Sequence, residues 1–541
     1  MISKYIKDIS KEFANYDKVM LTQDALAGLT VTAVAIPLAL AFGIGSGASA
    51  ASGLITAIIA GLIISAFSGA YYQISGPTGA MAAILMSIVA KYDMQGVLLA
   101  TFLAGIMLVF AGILHLGKLI SFIPMPVITG FTSGIAVIIA LGQIDNFFGV
   151  TSKGAGVIEK LMSYSELGFA PNWEAAALGI LVVVIMLFLP QRLTKVVPAS
   201  LWAIVAATVA AEVLELNVAV IGAIPQTLFL EDRLSLSAFL QFEQVLNLLA
   251  PAAGIAVLAM IESLLCGATA GRMTGVNLDS NRELIAQGIG NMAVPFFGGI
   301  PATAAIARTS VAIKSGAQTR LTGIFHAVGI LISMFLLASV MSQIPLAALA
   351  GVLMVVAWRM NEWATISFIV EGRFAGAILK FAATMLCTIF IDLTTAIVVG
   401  VVIGLVLQTV RFSHLHITYD ELDPNRLTAD NQSLPENGLV CYITGPIVFA
   451  NTERLEGIYE KAHAYSVIYF SMRGVPDIDI SGTQEFAKLV EKLLADGKKI
   501  YLCSLQEDAM EMLRRGGVYD LVGQECVYWS VERALCDKSA A

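Results

Sequence analysis

The sequence predicts a polytopic α-helical membrane protein with fourteen apolar segments, arranged as two inverted repeats of seven and followed by a water-soluble α/β domain. Three observations support this prediction. The 541 residues are 57% hydrophobic and only 13% charged, with a mean hydropathy of +0.81, whereas soluble domains are about 25% charged. Long apolar runs fill residues 24–412. The last quarter of the chain instead alternates apolar and polar residues, as a water-soluble domain does.

The charge is divided unevenly along the chain. The formal net charge is −8, from 32 Lys and Arg against 40 Asp and Glu. Residues 1–412 carry 20 basic and 20 acidic side chains, so the whole net charge belongs to residues 413–541, with 12 basic and 20 acidic. Hydrophobicity and charge together disfavour a disordered chain and a nucleic-acid-binding protein. They divide the chain into an N-terminal cytoplasmic segment (1–23), a transmembrane domain (24–412), a linker (413–435) and a soluble domain (436–541).

Fourteen segments are apolar enough to cross a membrane, which takes roughly 20 residues, or fewer for a half-helix buried in protein. They lie at residues 25–46, 52–68, 76–90, 97–115, 124–141, 173–189, 198–214, 245–270, 283–296, 301–313, 321–341, 345–358, 374–391 and 394–412. With the N-terminus inside, the inside loops and ends carry 14 basic side chains, whereas the outside loops carry only Lys91, Lys153, Lys160 and Arg233. This asymmetry follows the positive-inside rule. It predicts a multi-pass protein of the cell inner membrane with both termini in the cytoplasm.

Short sequence matches indicate that the membrane part is an internal repeat. Pro124 and Gly130 match Pro345 and Gly351, each pair opening the fifth span of its half at an offset of 221 residues. An odd number of spans in each repeat inverts the second half relative to the first. Inverted repeats are typical of secondary transporters.

The third span of each half begins near a proline, Pro77 or Pro301, and small residues surround both prolines. Proline at the first helical position loses no hydrogen bond, and small neighbours leave the backbone N–H groups accessible. Two half-helices that meet near the membrane midplane direct two positive dipole ends to one place, which suits an anion. The alternative is that the small residues only allow close helix packing.

Two charged side chains lie within the predicted spans, Glu262 in the eighth and Arg308 in the tenth. Intramembrane carboxylates are often proton relays, so Glu262 is predicted to carry a proton together with the substrate. Arg308 follows the proposed anion site by one to two turns and would add positive potential there. The alternative is a permanent ion pair between Glu262 and Arg308 that holds two helices together.

No enzyme motif is present. The sequence lacks G-x-S-x-G, H-E-x-x-H and the phosphate-binding G-x-x-x-x-G-K-[ST], and its six cysteines have no metal-ligand spacing. We therefore expect a protein that is not an enzyme, with no cofactor and no metal.

Several stretches resemble the SulP (sulfate permease) family of anion transporters. They are residues 35–42 (AIPLALAF), 74–79 (ISGPTG), 279–291 (DSNRELIAQGIGN) and 298–309 (GGIPATAAIART). The resemblance covers essentially the whole chain. It implies a core domain of spans 1–4 and 8–11, a gate domain of the remaining spans, a homodimer, and an elevator-like movement of the core against the gate.

By position, this resemblance places the anion between the two half-helix starts and beside the first span. The implied substrate-binding residues are Leu38, Phe42, Thr78, Gly79, Ala80, Ala304, Ala305, Ile306 and Arg308. Leu38 stands where many members have Gln, which removes one polar ligand. The sodium-coupled bicarbonate members are similar but have Asp at Glu262 and Thr at Cys266 and Ile306. Because hard cations prefer oxygen ligands, this chain favours proton coupling at Glu262 over sodium coupling.

The substrate stays open within this resemblance. Residues 301–309 are most similar to the bacterial proton-coupled C4-dicarboxylate members (DauA-type), which implies succinate, fumarate or aspartate. Sulfate and bicarbonate are alternatives. A sodium-coupled bicarbonate transporter and an uncoupled anion channel are alternative mechanisms.

The soluble part reads as strand 467–472, helix 481–495 and strand 499–503, an α/β order. Residues 475–482 (VPDIDISG) resemble the D-x-S-G turn of STAS domains, where the matching serine of anti-sigma-factor antagonists is a phosphorylation site. Ser481 is therefore a candidate for regulatory phosphorylation, and its alternative role is to cap its helix. A STAS domain implies a possible cytoplasmic protein partner. A second class of function is accordingly a membrane-tethered anion sensor that signals through this domain.

Overall fold

The computed structural model describes most of the chain, namely residues 2–118, 123–154, 157–190, 193, 198–235, 242–421 and 437–536. The chain forms two compact units, Met1–Val402 and Ile403–Ala541. Residues 422–436, which include most of the predicted linker, lie outside the described residues. So do Arg192 and Lys195, two of the basic residues that support the predicted orientation.

The first half of the membrane unit is helical apart from one two-residue strand. Its elements are α1 Ile2–Glu12, α2 Lys18–Gly45, α3 Ala50–Phe67, β1 Ser75–Gly76, α4 Gly79–Ile113, α5 Met125–Gly142, α6 Ile144–Phe148, α7 Val157–Leu167, α8 Trp173–Phe188 and α9 Ala199–Val213. Asp93, with φ of +57°, interrupts α4. This helix therefore contains both the third and the fourth predicted spans. The short helices α6 and α7 are not predicted by the sequence analysis.

The second half repeats this plan. Its elements are α10 Phe242–Thr274, α11 Ser280–Ala293, a 3₁₀ turn Val294–Phe297, β2 Thr303–Ala304, α12 Ile306–Lys314, α13 Leu321–Leu336, α14 Ala338–Met341, α15 Leu346–Met360, α16 Trp363–Glu371, α17 Ala375–Phe390 and α18 Leu393–Phe412. Each of the fourteen predicted spans overlaps one of these helices. Six of the described helices are long and apolar enough to cross a membrane, and five more are apolar but shorter.

The two halves make the same helix contacts with their partners exchanged. Helix α2 packs on α13 and α10 packs on α4, so the first span of each half contacts the fourth span of the other. Likewise α5 packs on α17 and α15 packs on α8, so each fifth span contacts the sixth span of the other half. This exchange confirms the inverted repeat. The contacts between first and fourth spans lie within the core, which comprises α2–α4 and α10–α13. The contacts between fifth and sixth spans lie within the gate, which comprises α5–α9 and α14–α18.

The glycines that match in sequence also make equivalent contacts. A Cβ atom on Gly130 would lie 2.4 Å from the carbonyl oxygen of Phe381 on α17, and one on Gly351 would lie 2.8 Å from the carbonyl oxygen of Gly179 on α8. Each helix follows an N-cap proline, with φ of −65° and −64°. Both gate crossings therefore require glycine, because any side chain would overlap the backbone of the neighbouring helix.

The second unit contains a five-stranded sheet. Its elements are β3 His416–Glu421, β4 Gly438–Thr444, α19 Glu453–Ala462, β5 Val467–Gly474, α20 Ile480–Ala495, β6 Lys499–Cys503, α21 Glu507–Arg515, α22 Val518–Val522, β7 Val527–Tyr528 and α23 Val531–Cys536. The strands follow chain order, with β3 antiparallel to β4 and the others parallel. The predicted α/β domain is confirmed. The predicted linker is wrong for residues 416–421, because this stretch pairs with β4 along its whole length.

Two thiols lie inside the sheet. Cys441 on β4 and Cys503 on β6 are buried, and burial raises the pKa of each thiol to about 12. Thiols that hold their protons at neutral pH are poor nucleophiles and poor metal ligands. Within the described residues no three His, Cys, Asp or Glu side chains are grouped so that they could hold a metal ion.

Helix α1 is held against the core by two ion pairs. Glu12 and Arg320 lie 2.7 Å apart, with side chains only 2% and 4% exposed. Asp8 and Arg282 lie 3.1 Å apart and are more accessible. The Tyr5 hydroxyl donates a hydrogen bond to a backbone carbonyl at the C-terminal end of α3. The charged N-terminal segment is therefore a packed part of the core.

We expect Glu12→Gln to destabilise the protein by about 3 kcal/mol, because it leaves the Arg320 guanidinium buried without its counter-charge. The measurement is thermal or denaturant unfolding of the full chain in detergent. Glu485→Gln is the control, since Glu485 pairs with Lys488 at 2.7 Å on the surface, where the two side chains are 44% and 63% exposed. Its effect should stay below about 1 kcal/mol. Equal shifts for the two variants would contradict the prediction.

Candidate functional site

The two halves of the membrane unit meet at a pair of extended segments. Strands β1 and β2 pair in antiparallel fashion, with Ser75 opposite Ala304 and Gly76 opposite Thr303. Helix α4 begins shortly after β1, and α12 begins shortly after β2. Both helices therefore start beside the same crossing, with their N-terminal N–H groups unpaired within the helix.

The prolines do not open these helices. Helix α4 begins at Gly79, two residues after Pro77, and α12 begins at Ile306, five residues after Pro301. The prediction that the half-helices start at the prolines is therefore wrong. The reason is that the residues just after Pro301 and just before Pro77 are extended, since they pair with each other across the crossing.

The two helix starts are also equivalent at a different spacing from that of their prolines. Gly79 and Ile306, the first residues of the two helices, are 227 residues apart. This spacing, and not the 224 residues between the prolines, relates the two starts. Residues 78–80 are thus equivalent to residues 305–307. By this equivalence Ala307 joins the candidate site residues, although the sequence analysis did not name it, and Ala304 belongs to β2.

The two helix starts are capped differently. Thr78 is the N-cap of α4, and its hydroxyl accepts a hydrogen bond from the Met81 N–H at 3.4 Å. Ala305 is the N-cap of α12 and has no side-chain group that could do the same. Within the described part of the chain, the N–H groups of Ile306 and Ala307 have no acceptor, and neither have the first two N–H groups of α4, at Gly79 and Ala80. Free N–H groups at a helix N-terminus favour an anion.

Thr78 also binds the intramembrane carboxylate. Its hydroxyl donates to Oε2 of Glu262 at 2.9 Å, and Glu262 is half-buried on α10. The next residue, Ser263, is fully buried, and its Oγ lies 2.8 Å from Oγ1 of Thr303. The Ala304 N–H donates to the same Ser263 oxygen at 3.3 Å. Helix α10 thus contacts the start of α4 through Glu262 and β2 through Ser263.

Arg308 is buried on α12, with 1% of its surface exposed. Its Nη2 donates to the carbonyl oxygen of Pro77 at 2.8 Å, and its Nη1 lies 2.7 Å from where a Cβ atom on Gly76 would be. Among the described side chains, Nη1 has no hydrogen-bond partner, and no ion pair joins Arg308 to Glu262. The predicted alternative of a Glu262–Arg308 ion pair is therefore not seen. The two charges hold consecutive residues, Pro77 and Thr78.

Gate helices reach the start of α4. A Cβ atom on Gly79 would lie 2.7 Å from Cδ1 of Ile139 on α5, 3.2 Å from Phe42 and 3.4 Å from the sulfur of Met360 on α15. Only glycine leaves room for these three side chains together. Ile306, by contrast, is 44% exposed, so the site is closed beside α4 and open beside α12.

Ala80, Ala304 and Leu38 are the remaining predicted site residues. Ala80 is buried directly after Gly79, and Ala304 is buried in β2. Leu38 is half-buried on α2, four residues before Phe42. The structure therefore gathers Phe42 and Thr78 to Ala80 on one side of the crossing, and the stretch from Ala304 to Arg308 on the other.

Ser481 in the second unit is exposed at the second residue of α20. The cap of this helix is Asp479, whose carboxylate accepts the Gly482 N–H at 2.7 Å. The prediction that Ser481 caps its helix is therefore wrong, because the extended Asp479 already does so. Phosphorylation of Ser481 stays a prediction.

An inverted repeat of membrane helices, with two interrupted segments crossing at its centre, defines the class of polytopic membrane transporters. Comparison with known proteins identifies the family. Residues 21–383 match the Sulfate permease family and residues 430–534 match the STAS domain. The chain belongs to the sulfate permease family.

Named relatives are similar along nearly the whole chain. The putative sulfate transporter YvdB of Bacillus subtilis is 33% identical over 530 residues, which cover 95% of this chain and 97% of the relative. The bicarbonate transporter BicA of Synechocystis sp. is 31% identical over 535 residues, covering 96% and 94%.

Solved structures share the fold. The transmembrane domain of a cyanobacterium bicarbonate transporter BicA matches with a TM-score of 0.65 and 30% identity, over 72% of this chain and 98% of that chain. The overall structure of SLC26A9 matches with a TM-score of 0.81 over 98% of this chain and 93% of that chain. At 17% identity, this second match shows the fold alone.

We expect Thr78→Val to lower the stability of the protein by about 1–2 kcal/mol, because valine keeps the shape but removes both the helix cap and the donor to Glu262. Thr78→Ser should retain most of the stability. Thr101→Val is the matched control, since this buried hydroxyl only donates to the Val97 carbonyl of its own helix. Unfolding midpoints in detergent measure all three. A midpoint for Thr78→Val no lower than that for Thr101→Val would contradict the proposed role of the hydroxyl.

Proposed function

We propose that this protein is a secondary active transporter that moves a small anion together with a proton, by an elevator-like movement of the core against the gate. The observation that carries the proposal is the uncapped start of α12 beside the Thr78–Glu262 hydrogen bond. The start of α12 offers free N–H donors beside the exposed Ile306, and the start of α4 is linked through Thr78 to a carboxylate that can take a proton. Anion and proton sites therefore share one crossing.

The anion site combines several weak attractions. The N–H groups at Ile306 and Ala307 supply donors, and the α12 dipole supplies partial positive charge. Arg308 adds a full positive charge from the interior, without being exposed itself. Of the side chains beside the site, Phe42 and Ile306 are apolar, whereas Thr78 and Glu262 are polar and bind each other. Such a site selects by charge and size and suits a small anion.

Glu262 supports proton coupling. An intramembrane carboxylate that faces a transporter's binding site is a common proton carrier, and Thr78 holds this one at the helix start. Sodium is disfavoured because two neighbouring residues, Cys266 and Ile306, offer no side-chain oxygen. Cys266 contacts Thr309 through its sulfur at 3.2 Å, and Ile306 contributes only an alkyl group, whereas a hard cation needs oxygen atoms.

Three kinds of anion are candidate substrates: sulfate, bicarbonate and a C4-dicarboxylate. The similar proteins YvdB and BicA are named as a putative sulfate transporter and a bicarbonate transporter, and this supports sulfate or bicarbonate. The resemblance of residues 301–309 supports a C4-dicarboxylate. Transport of each anion with and without Na⁺ distinguishes these substrates and tests the alternatives of a sodium-coupled transporter and an uncoupled channel.

The basic residues of the loops support placement in the cell inner membrane with both termini in the cytoplasm. Family resemblance supports a homodimer and a regulatory STAS domain that binds a cytoplasmic protein. The second class of function, an anion sensor, would need transport to be absent and a partner to respond to the bound anion.

We expect Glu262→Gln to abolish pH-driven accumulation of the anion in proteoliposomes, because glutamine cannot exchange a proton. Counterflow of labelled anion, which needs no net proton movement, should persist. Glu362→Gln is the matched control, since Glu362 lies in the gate and also accepts from a threonine hydroxyl, that of Thr129 at 3.3 Å. Sulfate, bicarbonate and succinate are each measured with an imposed pH gradient. Equal accumulation by wild type and Glu262→Gln would refute proton coupling at this residue.

We expect Ala307→Asp to weaken uptake at least tenfold while leaving the fold intact. A carboxylate in the first turn stabilises a helix by about 0.3–1 kcal/mol, but here it would occupy the place proposed for the substrate anion. Ala307→Asn has nearly the same shape without the charge and should retain most of the uptake. Equal uptake by the aspartate and asparagine variants would remove the start of α12 from the anion site.

A further inference from the structure

Helix α11 presents a row of three polar side chains, Glu283, Gln287 and Asn291, each at most 1% exposed. A spacing of four residues places them one above another on one face of the helix. They lie within the stretch 279–291, for which the proposed transport mechanism has no use. Polar groups inside a membrane protein are costly unless their hydrogen bonds are made, so their partners indicate what they do.

Asn291 binds the arm that leads into β2. Its Nδ2 donates to the carbonyl oxygen of Ala302 at 2.8 Å, and its Oδ1 accepts the Ala302 N–H at 2.8 Å. The amide side chain thus satisfies both backbone groups of one extended residue, as a neighbouring strand would. This fixes the position of the segment that ends at the start of α12.

Gln287 binds the other arm. Its Nε2 donates to the Ser75 hydroxyl of β1 at 3.0 Å and to Oε1 of Glu283 at 2.8 Å. The second oxygen of Glu283 accepts from Ser68 Oγ at 2.6 Å and from the Gly69 N–H at 3.0 Å. Glu283 therefore orients the Gln287 amide and also holds the residues that follow α3. A single helix face contacts both extended arms.

We propose that Glu283, Gln287 and Asn291, the α11 ladder, are positioning residues that set the separation between the starts of α4 and α12. The ladder touches neither helix start directly. It acts through Ser75 and Ala302, the residues on either arm of the crossing. As far as the anion is concerned, this inference rests on the proposed function. It makes α11, α4 and α12 one rigid body whose geometry determines how tightly an anion is bound.

The transport test uses Asn291→Asp, which keeps the acceptor for the Ala302 N–H but loses the Nδ2 donor to the carbonyl oxygens of Ala302 and Gln287. Because this releases the arm that leads into β2, KM should rise roughly tenfold for whichever of sulfate, bicarbonate or succinate the wild type transports. The maximal rate should change less than about twofold. Thr101→Val is the control for a buried hydroxyl outside the ladder. An unchanged KM in Asn291→Asp would overturn the inference.

A double-variant cycle tests the connection of Gln287 to Ser75. Gln287→Ala and Ser75→Ala each remove the same hydrogen bond, so the double variant should have nearly the KM of the single variants. If the KM changes of the two single variants multiplied in the double variant, Gln287 and Ser75 would act independently. Their hydrogen bond would then not influence anion binding, which would count against the ladder. A variant that only weakened folding would lower the amount of active protein and the maximal rate while leaving KM unchanged.

A distance measurement makes the ladder testable without transport. Spin labels at Ser87→Cys on α4 and Ala307→Cys on α12, both exposed positions, are introduced into full-length protein whose other cysteines are replaced. Asn291→Ala should shift or broaden the interspin distance, and Thr101→Val should leave it unchanged. An unchanged distance in Asn291→Ala overturns the ladder. Absence of anion uptake by the wild type, with the distance shift present, overturns the proposed function and leaves the positioning role standing.

Discussion

The structure of the membrane unit depends on how its two unwound segments satisfy their backbone groups. No lipid-exposed extended chain is tolerated in a bilayer, because its N–H and C=O groups would lack partners. Here β1 and β2 pair with each other. Buried side chains from neighbouring helices bind the backbone N–H and C=O groups that this pairing leaves without partners. Thr56 binds Ile300, Asn291 binds Ala302, and Ser263 binds Ala304. Once the arms are satisfied in this way, the first N–H groups of α12 are free to bind something else.

The crossing is symmetric in its backbone and asymmetric in its chemistry. Both helix starts leave their first two N–H groups without an acceptor among the described residues, yet one carries a threonine that accepts the third N–H and binds Glu262, whereas the other carries alanine. Packing follows the same division. Gate helices cover Gly79, while Ile306 is accessible. The inverted repeat gives the two halves equivalent backbones. The difference between Thr78 and Ala305 gives the two helix starts different roles.

Much of the fold could be predicted from the sequence, since apolar runs mark spans and glycines such as Gly130 and Gly351 mark close helix crossings. The site was predicted less well. Two-residue strands leave no periodic pattern, so the proline rule moved the start of α12 five residues too early and Ala307 was missed. Asn291 binds a residue more than ten positions away along the chain, and Gln287 binds one more than two hundred positions away. Local sequence patterns do not show such contacts. The signal that could have pointed to them is the recurrence of polar residues at intervals of four in an apolar segment.

Glu262 and Arg308 are electrostatically related although they form no ion pair among the described residues. Each holds one of two consecutive residues, since Arg308 binds the Pro77 carbonyl and Glu262 binds the Thr78 hydroxyl. In the proposed mechanism, a proton on Glu262 removes the negative charge that offsets Arg308, and the site then attracts an anion more strongly. By linkage, a bound anion strengthens proton binding by the same factor. Cotransport needs this reciprocity. In the proposed mechanism it comes from two opposite charges that bind neighbouring residues of the same extended arm, so no contact between the two charges has to form or break.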